Sequence, residues 1–189
     1  NQSRRQRQMC IRDRLMDIIE FFKLSAGEWF SQRTIHNLVS GELQAGKSEV
    51  NVEILEKTHP TLIKLCEQNQ VNSSVTELIG VKISWNGTIN KEQVKDVGST
   101  MLILIPNSEN LNQGELLQDR GNGKSKKISS RYIMGKDDVL TLITESEGLY
   151  AEERLWYLIP NLRLRTSVVN RSQGFTFASF CSEIRRIKS

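Results

Sequence analysis

Ten short segments of alternating apolar and polar residues, joined by short links, constrain the fold of this chain more than any other feature. Strand side chains point alternately to the two faces of a sheet, so this alternation predicts β-strands. Turn-forming residues separate the segments, for example in "WNGT", "PNSENLNQG" and "NRSQG". Parallel strands need crossovers of about a dozen residues or more, and none follows residue 78. The chain is therefore predicted to form an antiparallel meander.

The predicted strands cover residues 28–39, 46–56, 78–86, 100–106, 114–120, 128–135, 138–146, 149–159, 162–170 and 174–186. Two helices are also predicted: "DIIEFFKLSAG", capped by Asp17, and "HPTLIKLCEQN", with Pro60 in its first turn. Closure of a long meander removes its exposed edges. We therefore expect an all-β fold, an antiparallel ten-stranded barrel like the lipocalins or fatty-acid-binding proteins, with an N-terminal helix and one further short helix. A two-sheet sandwich is the alternative.

The basic charge is concentrated at the start of the chain. "NQSRRQRQMCIRDRL" holds five arginines against one aspartate, which accounts for the whole formal net charge of +4. Such blocks are usually solvated and disordered, and a helix start follows at once after Met16. We predict that residues 1–15 are a non-native or disordered leader, with a plastid transit-peptide remnant as the alternative, and that residues 16–189 form a single β-barrel domain. No nucleic-acid partner is expected.

Several other classes of protein are disfavoured by the sequence. No apolar run approaches the roughly 20 residues of a membrane-spanning helix, so no membrane span is expected. Cys10, Cys66 and Cys181 are odd in number and widely spaced, and the two histidines stand alone, so neither a disulfide framework nor a metal site is expected. "RGNGKS" at residues 120–125 lacks the first glycine of a phosphate-binding loop and is predicted to be a basic hairpin turn.

Two arginines share a face of the last but one strand in "YAEERLWYLIPNLRLRTSVV". Residues two apart on a strand point the same way, which aligns Arg163 with Arg165. In one interpretation, Leu162, Leu164 and Val168 face the core and the arginines are solvated. In the other, two guanidinium groups line an apolar cavity and suit paired carboxylates on a ligand. Alternation alone leaves both interpretations open.

The parity of the preceding loop decides which acidic side chain lies beside the arginines. With a two-residue loop at "PN", Arg165 faces Trp156 and Glu152 falls on the arginine face. An odd loop or a single bulge reverses the alternation and selects Glu153 instead.

Five blocks occur in a characteristic order: "SAGEWFSQRT", "GELLQDRG", "SSRYIMGKDDVLTLITES", "ERLWYLIPNLRLRTSVV" and "GFTFASFCSEIRR". From about Met16 to Ser189 the chain resembles the S-type phycobiliprotein lyases, the CpcS/CpeS family. The resemblance implies a lipocalin-like barrel that binds a bilin, phycoerythrobilin or phycocyanobilin, and attaches it through a thioether to a cysteine of an apo phycobiliprotein subunit. That subunit would be phycoerythrin, phycocyanin or allophycocyanin. The alternative function is a non-enzymatic, lipocalin-like carrier of a bilin or another hydrophobic ligand.

The resemblance also implies which residues act on the bilin. Its propionates would meet Arg163 and Arg165, and Glu153 or Glu152 would hydrogen-bond the pyrrole nitrogens. The remaining expected binding residues are Trp85, as an aromatic wall, Trp156 and Glu183. The bilin is the substrate, and no permanently bound cofactor or metal is expected. A homodimer is possible, and the expected location is a cyanobacterial cytoplasm or a plastid stroma.

Overall fold

A computed structural model describes residues 15–72, 77–90, 94–119, 129–172 and 174–187. In these residues ten antiparallel strands form a closed barrel in the order β1-β10-β9-β8-β7-β6-β5-β4-β3-β2. The elements are α1 (Ile18–Ser25), β1 (Gly27–Asn37), β2 (Leu43–Leu55), α2 (Pro60–Gln68), β3 (Ile79–Ile89), β4 (Val94–Pro106), β5 (Gln113–Asp119), β6 (Ser129–Met134), β7 (Leu140–Ser146), β8 (Leu149–Ile159), β9 (Leu162–Arg171) and β10 (Phe175–Arg185). The predicted barrel with two short helices is confirmed, and the sandwich alternative is wrong.

The alternating pattern of the sequence places one apolar face of each strand inside the barrel. The register brings Val50 of β2 between Trp29 of β1 and Trp85 of β3, so that the three side chains share the interior. The same alternation continues around the barrel, where the buried core includes Val81, Leu102, Leu104, Leu116, Tyr132, Leu140 and Leu155. A one-residue slip of any strand would turn its apolar set outward, so burial fixes the register.

Helix α1 closes one end of the barrel. It begins with a capping box, in which Asp17 accepts from the Glu20 amide and Glu20 accepts from the Asp17 amide. Ile18, Phe21 and Phe22 bury their side chains in the barrel core. The helix end is tied to the sheet because the Trp29 indole donates to the Ser25 carbonyl at 2.9 Å. This end of the barrel is therefore sealed.

Helix α2 packs on the outer wall rather than inside the barrel. Its buried residues Leu62 and Cys66 form a second small core with Leu78 and Ile103. The helix lies so close to β3 that a Cβ on Gly80 would stand 2.4 Å from Leu62 Cδ1. A Cβ there would force the Leu62 side chain to shift, so this close contact favours glycine. No helix in the described ranges is both long and apolar enough to cross a bilayer.

The predicted turn at "WNGT" is wrong, because these residues continue strand β3 to Ile89. Trp85 and Thr88 favour a strand, and Gly87 stands where β2 approaches closely: a Cβ would lie 2.2 Å from the Lys47 carbonyl oxygen. The chain turns only at Asn90, whose φ of 67° suits asparagine. Strand β4 accordingly begins at Val94, six residues before its predicted start. The leader up to residue 14 and the basic turn at 120–125 lie outside the described residues.

Candidate functional site

One bulge in the β8–β9 hairpin sets the alternation of its side chains. Ile159 pairs with Leu162, as a two-residue loop requires. The next pair is Tyr157 with Arg163, so Leu158 has no partner of its own. Such an extra residue reverses the alternation along the rest of the strand. The register with a single bulge, which selects Glu153, is therefore the one that forms.

The bulge places Glu153 on the arginine face and turns its neighbours outward. Glu152 accepts a hydrogen bond from the exposed Tyr150 hydroxyl at 2.6 Å. Trp156 lies between the inward residues Leu155 and Tyr157, so its side chain is on the outer face of β8. The expectation that Glu152 and Trp156 share a face with the arginines is therefore wrong.

The arginine face of β9 is the interior of the barrel. Arg163 is 5% exposed, whereas Val168, one of the residues assigned to the core in the solvated interpretation, is 41% exposed. The solvated interpretation is thus wrong. A guanidinium group is rarely buried without a partner, so the buried Arg163 needs carboxylates close to it.

Two arginines and two glutamates form an interior ion-pair ladder. Arg163 Nε donates to Glu183 Oε2 at 2.6 Å, and both side chains are almost fully buried. Arg165 lies between the two acids, with Nη1 3.0 Å from Glu153 Oε1 and Nη2 3.5 Å from Glu183 Oε1. The four charges alternate in sign and cancel. We call Arg163, Arg165, Glu153 and Glu183 the charge ladder.

Arg163 stands at the sealed end of the charge ladder. Its Nη1 donates to the Ser25 hydroxyl at 3.0 Å, and that hydroxyl is 2.6 Å from the Tyr157 hydroxyl. The guanidinium carbon also lies 4.9 Å from the centre of the Trp29 ring, within cation–π range. These contacts tie β9 to helix α1, and they hold the Arg163 guanidinium at the sealed end.

Arg165 stands at the accessible end of the charge ladder. Its side chain is 28% exposed and lines a cavity of about 20 Å³ with Ser31, Arg33 and Asp96 among its walls. Arg33 Nη2 donates to Asp96 Oδ2 at 2.9 Å, and Arg33 lies in the same cross-strand row as Cys181 and Arg165. The cavity has room for about one water molecule, so a larger ligand at Arg165 needs more space than its lining side chains leave.

Trp85 lies beside this cavity, on the inner face of β3. Its indole nitrogen donates to Asp96 Oδ1 at 3.1 Å, the carboxylate that also holds Arg33. The ring rests on Gly98, where a Cβ would come within 2.5 Å of Trp85 Cζ2. Arg33 and Asp96 were not among the site residues predicted from the sequence. Arg33 could have been found, since it lies four residues after Trp29 on the same strand face.

The environment of Glu183 keeps it ionised. Burial, the largest influence, would raise its pKa, but the charges of Arg163 and Arg165 and hydrogen bonds from Arg163 and Ser31 outweigh it, and the pKa lies below its ordinary value of 4.5. Burial raises the pKa of the Cys181 thiol, which lies 3.6 Å from Arg165 Nη2. Cys181 is therefore a buried protonated thiol rather than a nucleophile.

A lowered carboxyl pKa stabilises the fold above the pKa of the unfolded chain and loses that contribution as the pH falls. We therefore expect the difference in unfolding free energy between the wild type and Glu183→Gln to shrink as the pH falls below about 4.5. Urea unfolding at pH 7, 5, 4 and 3 measures it. A constant difference across this range would show that the ionised carboxylate does not stabilise the fold.

Across the ranges that the structure describes, no group of three or more histidine, cysteine, aspartate or glutamate side chains is arranged to hold a metal ion. The described chemistry of the interior is that of the charge ladder, the Arg33–Asp96 pair and the Trp85 ring. These groups can pair with ligand carboxylates, accept hydrogen bonds from ligand N–H groups and stack on a flat conjugated ring.

Comparison with known proteins identifies the family that carries this interior. The family model described as "CpeS-like protein" matches residues 17–186. The chain belongs to the CpeS-like family. It is 84% identical over 174 residues to Chromophore lyase CpcS/CpeS 1 of Trichodesmium erythraeum, covering 92% of this chain and 100% of that protein. It is 45% identical over 177 residues to Chromophore lyase CpcS/CpeS of Thermosynechococcus vestitus, covering 94% and 95%.

A solved structure of the CpeS-like family has the same fold. The S-type phycobiliprotein lyase CPES from Guillardia theta matches with a TM-score of 0.79 and 26% identity, covering 92% of this chain and 95% of that one. The resemblance read from the five sequence blocks is thereby confirmed. A further relative, 39% identical over 171 residues, is named Phycocyanobilin lyase subunit CpcS in Picosynechococcus.

Proposed function

We propose that the protein is a chromophore lyase that binds a bilin, phycoerythrobilin or phycocyanobilin, and attaches it to a cysteine of a phycobiliprotein subunit. The observation that carries the proposal is the 84% identity, over the full length of the relative, to a protein named chromophore lyase. The charge ladder supports it, because the forked guanidinium group of Arg165 suits a propionate carboxylate of a bilin.

Bilin binding replaces an ion pair inside the barrel with a pair between an arginine and a bilin propionate. Arg165 is the arginine that a propionate can reach, because Arg163 is 5% exposed and already donates to Glu183 and Ser25. A propionate that pairs with Arg165 takes the place of Glu153, the more exposed of its two acids. Glu153 is then free to accept from the pyrrole N–H groups, and Trp85 offers a flat face to the conjugated rings.

Attachment is the addition of the acceptor's thiolate to the A-ring side chain of the bilin. A C–S bond forms, the π electrons of the attacked double bond move into the tetrapyrrole, and the proton lost by the thiol ends on the bilin. A carboxylate such as Glu153 beside the pyrrole nitrogens favours a protonated, more electrophilic tetrapyrrole. Holding one conformer of a flexible bilin contributes through positioning. The acceptor supplies the nucleophile, which agrees with the buried Cys181.

The partners and the compartment follow from the same proposal. The bilin is the substrate and the lyase needs no permanently bound cofactor. The acceptor is a subunit of phycoerythrin, phycocyanin or allophycocyanin, and two copies of the lyase act as a homodimer. The cyanobacterial relatives support a cyanobacterial cytoplasm, with a plastid stroma as the alternative.

The proposal is tested by mixing the protein with either bilin and an apo phycobiliprotein subunit. We expect faster attachment, or attachment at a single cysteine, compared with the reaction without the protein. Zinc-enhanced fluorescence on a denaturing gel measures covalent product, and an acceptor whose cysteine is replaced by alanine is the control. Tight bilin binding without transfer would instead indicate a non-enzymatic carrier. The absence of both bilin binding and bilin transfer would refute both functions.

A further inference from the structure

Three inward positions on neighbouring strands of the barrel are occupied by glycine. They pair with larger inward residues of the adjacent strand, in the pairs Gly46 with Arg33, Gly87 with Asp96 and Gly98 with Trp85. Because glycine has no side chain, the inner wall of β2, β3 and β4 has space at these positions. The larger side chains can therefore lie along the wall.

The ring of Trp85 is held from two directions. Its indole nitrogen donates to Asp96 Oδ1 at 3.1 Å. On the β4 side the ring covers Gly98, where an added Cβ would lie 2.5 Å from Trp85 Cζ2 and 2.9 Å from Trp85 Cε2. The χ2 torsion of tryptophan has broad minima and does not set the ring orientation by itself. These two contacts therefore decide the plane of the Trp85 ring.

Asp96 is itself held by an ion pair. Arg33 Nη2 donates to Asp96 Oδ2 at 2.9 Å, so the two carboxylate oxygens of Asp96 have different partners. Arg33 lies on β1 and Asp96 on β4, three strands apart in the barrel. An ionised acceptor makes a stronger hydrogen bond than a neutral one. A carboxylate that is fixed at its second oxygen is also less free to rotate away from the indole.

Asp96 lies on the wall opposite Arg165. Strand β4 is five strands from β9 in either direction around the ten-stranded barrel. Asp96 and Arg165 both line the cavity described above, so a ligand that reaches Arg165 meets the wall formed by Asp96 and Trp85. We propose that Asp96 is a positioning residue of the bilin site, which fixes the Trp85 ring in the plane on which the bilin stacks. The identity of the ligand rests on the proposed function.

The proposal is tested with Asp96→Ala and Asp96→Asn. The alanine variant removes the acceptor of the Trp85 indole, and the bilin dissociation constant should rise about tenfold, the effect of one lost hydrogen bond to a charged group. The asparagine variant keeps an oxygen that accepts from the indole, so its dissociation constant should stay within about threefold of the wild type. Absorbance titration with phycocyanobilin measures the affinity. An asparagine variant as weak as the alanine variant would overturn the proposal.

A double-mutant cycle separates positioning from direct contact with the bilin. Trp85→Phe keeps a flat ring without the N–H group, so adding Asp96→Ala to it should not weaken bilin binding further. If Asp96 instead contacts the bilin itself, the two losses add and the proposal is wrong.

Gly98→Ala tests the ring position without changing Asp96, because the added Cβ displaces the Trp85 ring from its other side. The visible circular dichroism of the bound bilin reports whether one conformer is held. It should fall in Gly98→Ala as it does in Asp96→Ala, and it keeps the proposal testable if the aspartate variant does not fold. Unchanged circular dichroism in a folded Gly98→Ala protein would contradict the proposal.

The matched control is Glu49→Ala, which removes the acid of another arginine ion pair, with Arg186, on the outer face of β2. Its bilin affinity should equal that of the wild type. Acrylamide quenching of Trp85 fluorescence in the protein without bilin, obtained by difference from Trp85→Phe, should increase in Asp96→Ala and stay unchanged in Glu49→Ala. This measurement needs no bilin. A wild type that binds no bilin would refute the proposed function, whereas unchanged quenching in Asp96→Ala would refute the hold of Asp96 on Trp85.

Discussion

Glu183→Ala lowers the free energy of unfolding by about 3–5 kcal/mol, the usual cost of removing one partner from a buried ion pair. The substitution leaves Arg163, which is 5% exposed, without the carboxylate that accepts from its Nε at 2.6 Å. It also removes the second acid beside Arg165. Because Arg163 connects β9 to Ser25 at the end of α1, the sealed end of the barrel should loosen as well. Urea unfolding followed by tryptophan fluorescence measures the change.

The matched control is Glu145→Ala, which removes an ion pair of the same length on the barrel surface. Glu145 lies 2.6 Å from Arg131, and both side chains are 44% exposed. Solvent screens such a pair, so the expected loss is below about 1 kcal/mol. Equal losses for the two variants would show that burial does not set the energy of the charge ladder. A stable Glu183→Ala protein would show that Arg163 finds another partner.

Arg165→Leu weakens bilin binding by about 100-fold or more, and covalent attachment falls with it. A desolvated charge pair contributes about 2–5 kcal/mol to binding, and each 1.4 kcal/mol is about tenfold in affinity. Arg165 is the ladder arginine that a propionate can reach, with a side chain that is 28% exposed. The fold should tolerate the change better than Glu183→Ala, because Glu183 keeps its bond to Arg163. Absorbance titration with bilin measures the affinity.

Arg154→Leu is the control for this experiment, since it removes the same charge from the same hairpin. Arg154 is 50% exposed and lies on the outer face of β8, where its Nη2 is 3.9 Å from Asp137 Oδ2. Its bilin affinity should equal that of the wild type. Arg165→Lys, which keeps the charge without the forked geometry, should fall between the two. Equal titration curves for the Arg165 and Arg154 leucine variants would exclude Arg165 as a propionate partner.

The fold could be predicted from the sequence because alternating apolar residues mark the buried face of the strands. Most strands repeat their apolar residues at every second position, and short links exclude parallel crossovers, so the antiparallel meander and its closure follow from local rules. The wrongly predicted turn shows the limit of these local rules. "WNGT" has the composition of a turn, but Gly87 serves a close approach of the neighbouring strand, which lies about forty residues earlier in the chain.

The candidate site was only partly predictable. Arg163 and Arg165 share a face by alternation, and the sequence determined that much without help. Which acid lies beside them depends on Leu158, a single unpaired residue whose bulge places Glu153 inside and Glu152 outside. Alternation has a period of two, so one extra residue reverses which face each later side chain occupies. The local sequence preferences do not predict where that extra residue lies.

The sequence by itself determined the strands, the two helices, the family and the pairing of two arginines on one strand face. Only the tertiary structure decided that this face is the interior, that Glu183 of a neighbouring strand lies between the arginines, and that Ser25 of α1 holds Arg163 from the sealed end. The physical reason is that a buried charge is stable only with its partners. Those partners lie on strands and a helix that become neighbours only when the barrel closes.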